Sequence, residues 1–555
     1  MPPFTSLSTL SPRLARLSPA ARAWLLGAFA LALFCLQAQG RAVIGFDSRF
    51  VLFAQEMLRH GPSLFPTTYG EPYPDYPGTS TLLIYLLSLP FGRVDNLAAW
   101  LPTALAGTAV LVLVYRLLEP ISSRWALLAV AMLLLTVTFV SETRAVSLDQ
   151  MVAALALGAF YRAYNDRERP LARTLGWQVA LLLAGFLVRG PLGLVIPAAV
   201  VCACHLAADD WRRLLGFGLC AGTLLVLCCL ALLGLAEHSG GAAFAREVLQ
   251  MQVVGRLDGS AGSSSPLYYF LSAPGNYALA FPLALPALAL AFGRPGRAEP
   301  TATRILLRAC VLAALLVMIG LSVPQAKKAR YILAMAPFAA ILAAYPFQVA
   351  GNRLAGLLRG ILQGLWLALP GVLCLALLVA RRRFPELASD YAPELYRSLA
   401  LLLALQALAL FFAWRPRQRA LGLAACAALS MWAAYILAFE PIERGLYDTR
   451  GFTLAADAVM AAKPAPVAFV GLGRDAKAIK YLVNLDHDLA PRFIDDPGQL
   501  DGLRGPAYLV MEAARQRALG DSPVERLRPL VAAEFDREPF VLLYLPADPS
   551  LAGDR

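Results

Sequence analysis

The sequence predicts an all-α polytopic membrane protein of about 13 transmembrane helices, followed by a small α/β domain. Three observations carry this. Of 555 residues, 59% are hydrophobic, and the mean hydropathy is +0.60. Charged residues make up only 15%, against about 25% in an ordinary soluble protein. Apolar runs of ~18 residues or more recur along the chain, long enough for a helix to cross a bilayer. The runs are continuous rather than alternating, which excludes a porin-like barrel.

The first run follows Arg13, Arg16 and Arg22. It resembles a signal peptide, but no small-x-small site leads into a soluble domain, so it reads as an uncleaved first span. The predicted spans are 22–39, 96–118, 124–141, 147–165, 174–189, 191–208, 214–236, 276–293, 304–323, 331–350, 358–380, 395–414 and 418–440. The run "TSTLLIYLLSLPFG" (79–92) is too short to cross and suits a re-entrant or interfacial helix. With that run left out, the arginines of 116–124, 162–173, 212–213, 294–304, 353–359 and 415–419 join the N-terminal ones on a single side. By the positive-inside rule that side is cytoplasmic. Residues 40–95, 142–147, 189–190, 237–275, 324–330, 381–394 and 441–555 then face outward. The expected location is a bacterial inner membrane, with the polar loops and the C-terminal domain on the periplasmic side.

Two units follow: a membrane unit, 1–440, and an extracytoplasmic domain, 441–555. The tail alternates strand-like "PVAFVGL" and "FVLLYL" with helix-like "DAKAIKYLVNL", the pattern of a small α/β domain. The formal charge is +12, but the arginines sit in short loops between apolar runs, so nucleic acid is not an expected partner. The nine cysteines lie in or beside apolar runs with no metal-ligand spacing, and read as small apolar fillers.

Charged residues at the outer ends of spans are the candidates for chemistry, because charge near lipid is costly. "GFDSRFVLFAQEMLRHGPSLFP" (45–66) carries Asp47, Arg49 and Glu56 on a helix whose apolar face is Phe50, Val51, Phe53, Ala54, Met57 and Leu58. It also fits a solvated interfacial helix. "YGEPYPDYPGTS" (69–80) places Tyr73, Asp75 and Tyr76 in a proline-rigid loop that suits sugar binding or a plain surface turn. "SETRAVSLDQ" (141–150) holds Arg144 and Asp149 beside Ser147, a candidate N-cap. Arg189 in "LVRGP", Arg256, and "VPQAKKARYIL" (323–333) with Lys327, Lys328 and Arg330 place cations on a face where topology disfavours them. An anion such as a lipid phosphate explains them better than loop solvation does.

These stretches resemble the integral-membrane GT-C-fold glycosyltransferases that use polyprenyl-phosphate sugars, of the lipid A aminoarabinose transferase and protein O-mannosyltransferase type. "FDSRFVLFAQEMLRHG" is similar to the family's first outer segment, with Asp47 at the catalytic acid and Ser48 replacing the usual Glu. "YPDYPG" matches the Phe-Glu-Lys-Pro-Pro signature loosely, with Asp75 for Glu and Tyr76 for Lys. Arg144 and Asp149 match Arg-x-x-x-x-Asp. "LVRGPLGLVIP" is similar to the Lys-Gly-Pro segment, "GSSSPLYYFL" with Tyr269 to the Tyr-Tyr loop without its histidine, and "KKARYIL" with Tyr331 to the Lys-x-x-Tyr-Ile-Leu segment.

The resemblance implies inverting transfer of a glycosyl group from a polyprenyl phosphate to lipid A or another envelope lipid, glycan or protein. Asp47 and Asp149 would be the catalytic acids. Arg189, Arg256, Lys327, Lys328, Arg330 and Tyr331 would bind the donor phosphate. Tyr73, Asp75, Tyr76, Arg144 and Tyr269 would line the sugar or the loop. The resemblance fixes no cofactor; a divalent metal ion, with Asp75 as a ligand, stays open. The remaining readings are a secondary transporter or lipid flippase, which predicts mid-span acids and inverted repeats, and a non-catalytic envelope scaffold. "VGLGRDA" (470–476) with Asp495 mimics a dinucleotide fingerprint, but a tight strand–helix turn is the simpler reading.

Overall fold

In a bilayer a chain must satisfy its own backbone, and the apolar runs do so as helices. The computed structural model describes residues 17–39, 42–45, 47–75, 78–260, 262–500, 505–520 and 523–547. Arg13 and Arg16 lie outside them. Among the described residues eight helices are long and apolar enough to cross a membrane, or ten if each of two bent pairs is one span. The chain is a multi-pass membrane protein. All thirteen predicted runs fall on helical structure, and the short run 79–92 forms the helical turns Leu82–Phe91. None of the nine cysteines is paired.

One expected junction is confirmed as a helix break, and two runs expected to be continuous are bent. Leu171–Ala207 is interrupted at Arg189 and Gly190, the latter at φ 55. A Cβ on Gly185 would lie 2.0 Å from the Gly193 carbonyl oxygen. Residues eight apart touch only if the chain reverses, so the two predicted spans are the arms of a hairpin with Arg189 at its tip. The predicted span 124–141 bends by 73° between Ser123–Leu134 and Val137–Thr143. Residues 276–293 contain a second break, 105° between Tyr268–Asn276 and Ala280–Phe292. The two breaks meet: Val137 N–H donates to the Ala278 carbonyl at 3.0 Å, and Thr138 Oγ1 to that of Asn276 at 2.7 Å. Each break thus satisfies backbone groups that the other frees. The predicted outer loop 237–275 is largely helical, resuming after Gly240 and Gly241.

A buried ion triad ties these pieces to the end of the membrane unit. Arg144 donates from Nε (3.0 Å) and Nη2 (2.7 Å) to Glu440 Oε2, while Arg444 Nε reaches Oε1 at 3.0 Å. Arg144 and Glu440 side chains are each 1% exposed. Both guanidiniums lie over the Trp100 ring, at 5.5 and 4.4 Å.

The C-terminal sheet has the order β4-β3-β5-β7-β6, with β3 Val467–Val470, β4 Arg492–Ile494, β5 Ala507–Glu512, β6 Val531–Phe535 and β7 Glu538–Leu545. β3 runs parallel to β4 and β5, while β5–β7 and β7–β6 are antiparallel. Phe452, Phe469, Tyr481, Phe535 and Phe540 share one core with Phe50, Phe53, Tyr73 and Trp100 of the membrane unit. Gln55 Nε2 donates to the Val483 carbonyl at 3.1 Å, and Arg59 pairs with Asp488 at 3.2 Å. The Asp47–His60 helix is therefore covered on a second side, and Phe50, Leu52, Phe53 and Glu56 are all buried.

Glu440→Gln should destabilise the chain by about 3–5 kcal/mol, because two buried arginines lose their counter-charge. The check is thermal unfolding in detergent against Glu386→Gln, at an exposed position, which should melt like the parent.

Candidate active site

Four breaks or ends of elements converge outside the apolar helices. Ser147 caps Leu148–Asn165: its Oγ accepts the Gln150 N–H at 3.3 Å and donates to Glu142. Asp149 then sits in the first turn, where a helix favours negative charge. Its Oδ1 pairs with Arg189 from the hairpin tip, and its Oδ2 lies 3.2 Å from Arg330 Nε. The Arg189 guanidinium stands 4.8 Å from the centre of the Tyr331 ring. Tyr269 is fully buried and within electrostatic reach of Tyr331 and Asp149.

Lys328 occupies the middle of a cationic group. Burial, then Arg330, Arg49, Arg189 and Arg256, hold its ammonium below the ordinary lysine value. Lys327 turns elsewhere, donating to the Ser264 carbonyl at 3.2 Å. Arg256 fixes this region through its backbone, its carbonyl accepting the N–H groups of Gln325 at 2.8 Å and Ala326 at 3.2 Å.

Asp47 starts its helix and is 7% exposed. Burial pushes its carboxyl above the usual range, while Arg444, the Val146 N–H and Arg330 pull it back. Arg330 thus reaches toward both predicted acids. Glu142 adds a third carboxylate beside Asp47 and Asp149.

The loop after the β1–β2 hairpin (Thr67–Thr68, Glu71–Pro72) supplies Tyr73 and Asp75. Asp75 is 2% exposed, 3.3 Å from Arg49, and accepts from Gln252 at 3.4 Å. Tyr73 packs on Phe53 at 5.3 Å, and burial pushes its hydroxyl up to about 12. Tyr76 lies outside the described residues. The partners of Asp75 are Arg49 and Gln252, and among the described residues it belongs to no group of three His, Cys, Asp or Glu ligands. Among the described residues the ligand-type cluster is Glu56, His60 and Asp488, at the junction with the C-terminal domain.

The structure thus brings together Asp47, Asp149, Arg189, Arg256, Lys328, Arg330, Tyr331 and Tyr269, with Tyr73 and Asp75 joined through Arg49. Lys327 faces away. Arg144 does not line the group; it is consumed by Glu440, a partner almost three hundred residues away. Sequence reasoning left Arg49, Glu142 and Gln252 without roles. Arg49 and Glu142 were visible as charges at span ends, but Gln252 gave no signal. A cavity of about 550 Å³ runs along the Val51, Gln55 and Leu58 flank of the Asp47 helix, with Arg59, Arg93 and Arg450 on its walls.

The fold has known counterparts. The crystal structure of ArnT from Cupriavidus metallidurans bound to undecaprenyl phosphate superposes with a TM-score of 0.71, covering 97% of this chain and 100% of that one at 20% identity. The apo form of the same protein gives 0.70 at 19%. This chain has the GT-C fold. The dolichyl-phosphate-mannose-protein mannosyltransferase family matches residues 77–233 of it. Undecaprenyl phosphate-alpha-4-amino-4-deoxy-L-arabinose arabinosyl transferases of Pseudomonas aeruginosa and Pseudomonas paraeruginosa are 30% and 29% identical over 234 residues. These alignments span 40% of this chain and 42% of each relative. The matched region carries Asp149 at the acidic helix start, Arg189 at the hairpin tip and Arg144 of the Glu440 triad.

Ser147→Ala should cost about 1–2 kcal/mol, the usual effect of losing a helix N-cap. Thermal unfolding reads this directly, and Ser147→Thr should recover most of it.

Proposed function

We propose that this chain is a glycosyltransferase that moves a sugar from a polyprenyl-phosphate donor to an acceptor in the bacterial envelope, with inversion. The observation that carries the reading is the cationic group of Arg49, Arg189, Arg256, Lys328 and Arg330, gathered beside the buried carboxylates Asp47 and Asp149. A phosphate leaving group needs the cations, and an attacking hydroxyl needs a base. The arabinosyl transferase relatives and the undecaprenyl phosphate of the crystallised ArnT support the same donor class.

In the proposed step Asp47 takes the proton of the acceptor hydroxyl. The hydroxyl oxygen bonds to the anomeric carbon from the face opposite the phosphate. The bond from that carbon to the phosphate oxygen breaks, and the electron pair leaves on the phosphate. Lys328, Arg330 and Arg256 hold the phosphate as its charge grows. Asp149 positions Arg189 and Arg330 rather than touching the reacting atoms. No step passes through a metal.

The sidedness has geometric support. Asp149 lies in the first turn of the helix Leu148–Asn165 and Arg162 in its last, so about 20 Å of helix separates the acidic cluster from the nearest arginine-rich end. If that loop is cytoplasmic, as charge bias favours, the reaction takes place at the outer leaflet of the inner membrane. Residues 441–555 are read as an accessory domain on that side, and lipid A is one acceptor of the right class. The transporter reading is weaker because the acids sit at helix starts rather than in mid-span.

Asp47→Asn should lose transfer by ~10²–10⁴-fold at normal membrane levels. The assay is radiolabelled sugar transfer in membranes supplied with polyprenyl-phosphate sugar; unchanged transfer refutes the reading. Because the Asp47 carboxyl is held above the usual ~3.9, and the base works only when ionised, the parent's rate should fall on acidification at a pH above that value.

Lys328 makes the opposite prediction at high pH. Its ammonium is held low in the free chain, and a bound phosphate raises it again. Affinity for undecaprenyl phosphate should be full below the free-chain value and decline as pH rises through it. Calorimetric titration between about pH 7 and 10 should show the decline, and Lys328→Arg, which stays charged, should abolish it.

A further inference from the structure

The glycine-rich loop "VGLGRDA" is left without a role by the proposed reaction, and its surroundings exclude a nucleotide. Gly471 has φ 72 and Gly473 φ 65. The Arg515 guanidinium fills the space over Gly471, where a Cβ would meet its Nη1 at 1.9 Å, and its Nη2 donates to the Asp495 carbonyl. The place a phosphate would take at such a turn is occupied by the protein's own side chain.

What the loop touches instead is the membrane unit. Tyr69 Oη donates to the Arg474 carbonyl at 3.0 Å. The Tyr69 ring meets Phe493 of β4 edge-on at 5.1 Å, and the Arg474 guanidinium lies 5.4 Å from that same ring. Tyr69 sits at φ 58 and Gly70 at φ 77, the two-residue turn of the β1–β2 hairpin. A bulky aromatic in the left-handed region is strained, and such strain persists where surrounding contacts enforce it. Here the enforcing contacts come from the other domain.

The hairpin leads directly to the Tyr73–Asp75 loop. Tyr73 N–H donates to the Pro66 carbonyl at 2.8 Å, closing the hairpin, and Asp75 follows two residues later, 3.3 Å from Arg49. Arg49 is one of the cations around Lys328. We propose that Tyr69, Arg474 and Phe493 form a clasp through which the C-terminal domain positions the Tyr73–Asp75 loop, so that the domain is a positioning element of the donor site. This rests on the glycosyltransferase reading only where the site is called a donor site; the clasp itself is a structural claim. The domain has separate anchors at Gln55–Val483 and Arg59–Asp488, so opening the clasp leaves it docked.

The test is a double-mutant cycle on the full chain in lipid nanodiscs, with undecaprenyl phosphate as the probe. Tyr69→Ala should weaken binding by about tenfold in the parent, but by less than about twofold in an Asp75→Asn background, because coupled residues are non-additive. Tyr69→Phe, which keeps the ring, should stay within about threefold of the parent. In parallel, hydrogen exchange of residues 66–75 should accelerate in Tyr69→Ala, while that of 483–488 stays unchanged. Equal fold-losses in both backgrounds would mean a generally structural role and overturn the proposal, as would unchanged binding with unchanged exchange. If the parent binds no undecaprenyl phosphate, the donor reading fails; exchange then decides the clasp alone, faster exchange at 66–75 supporting it and unchanged exchange refuting it.

Discussion

A charge removed from water must meet an opposite charge, and that constraint organises this membrane unit. It is met in two ways. Around Glu440 the arrangement is closed: both carboxylate oxygens are engaged by Arg144 and Arg444, and both arginines lie over one indole. Around Asp149 two arginines likewise engage both oxygens, yet Arg256 and Arg49 also stand close enough to Lys328 to add to the lowering of its ammonium. The first group is a structural knot. The second gathers five cations, Arg49, Arg189, Arg256, Lys328 and Arg330, around the carboxylates Asp47, Asp75, Glu142 and Asp149, a density of charge that the first lacks. Arg144 and Arg189 look alike in the sequence, each an arginine at an outer span end. Only the surplus of neighbours separates the knot from the site.

Broken helices make both groups possible. An unbroken helix through Arg189 would carry that side chain up its own axis and never return it to Asp149. Gly190 reverses the chain, and the bare backbones of Gly185 and Gly193 let the arms close. The bend before Val137 similarly frees a donor that the second bent pair accepts. Each break would leave unsatisfied backbone in lipid if it stood alone. Paired, they form a polar floor beneath the acids without water having to enter the helical layer.

The sequence made the membrane unit legible because a spanning helix needs little beyond length and apolarity, and thirteen such runs could be read directly. It made most of the site legible for a related reason: charge is rare enough in this chain that each outer charge is informative. The Ser147 cap before Asp149 followed from residue type and position alone. What could not be read was pairing. That Arg144 belongs to Glu440, and Asp75 to Arg49, depends on which helix ends meet in space. The break at Arg189 was legible as a junction between two apolar runs, but the bends at Leu135–Thr136 and at Tyr277–Leu279 were not, because each lies inside one continuous apolar run. The predicted loop at 237–275 was misjudged because its glycines and charges read as loop, whereas Gly241 merely redirects a helix that continues.

The Asp47 helix shows how the two domains share one electrostatic problem. Alone on a membrane surface its acids would be solvated and ordinary. The aromatic core of the C-terminal sheet covers the flank that water would otherwise wet, joining Phe50, Phe53 and Tyr73 to Phe452 and Tyr481. Desolvation is accordingly the largest influence on Asp47, ahead of any single neighbouring charge. A carboxylate held in this way is a stronger base than one in water. The C-terminal domain thus covers the middle of this helix, Phe50 to Glu56, rather than its first residue.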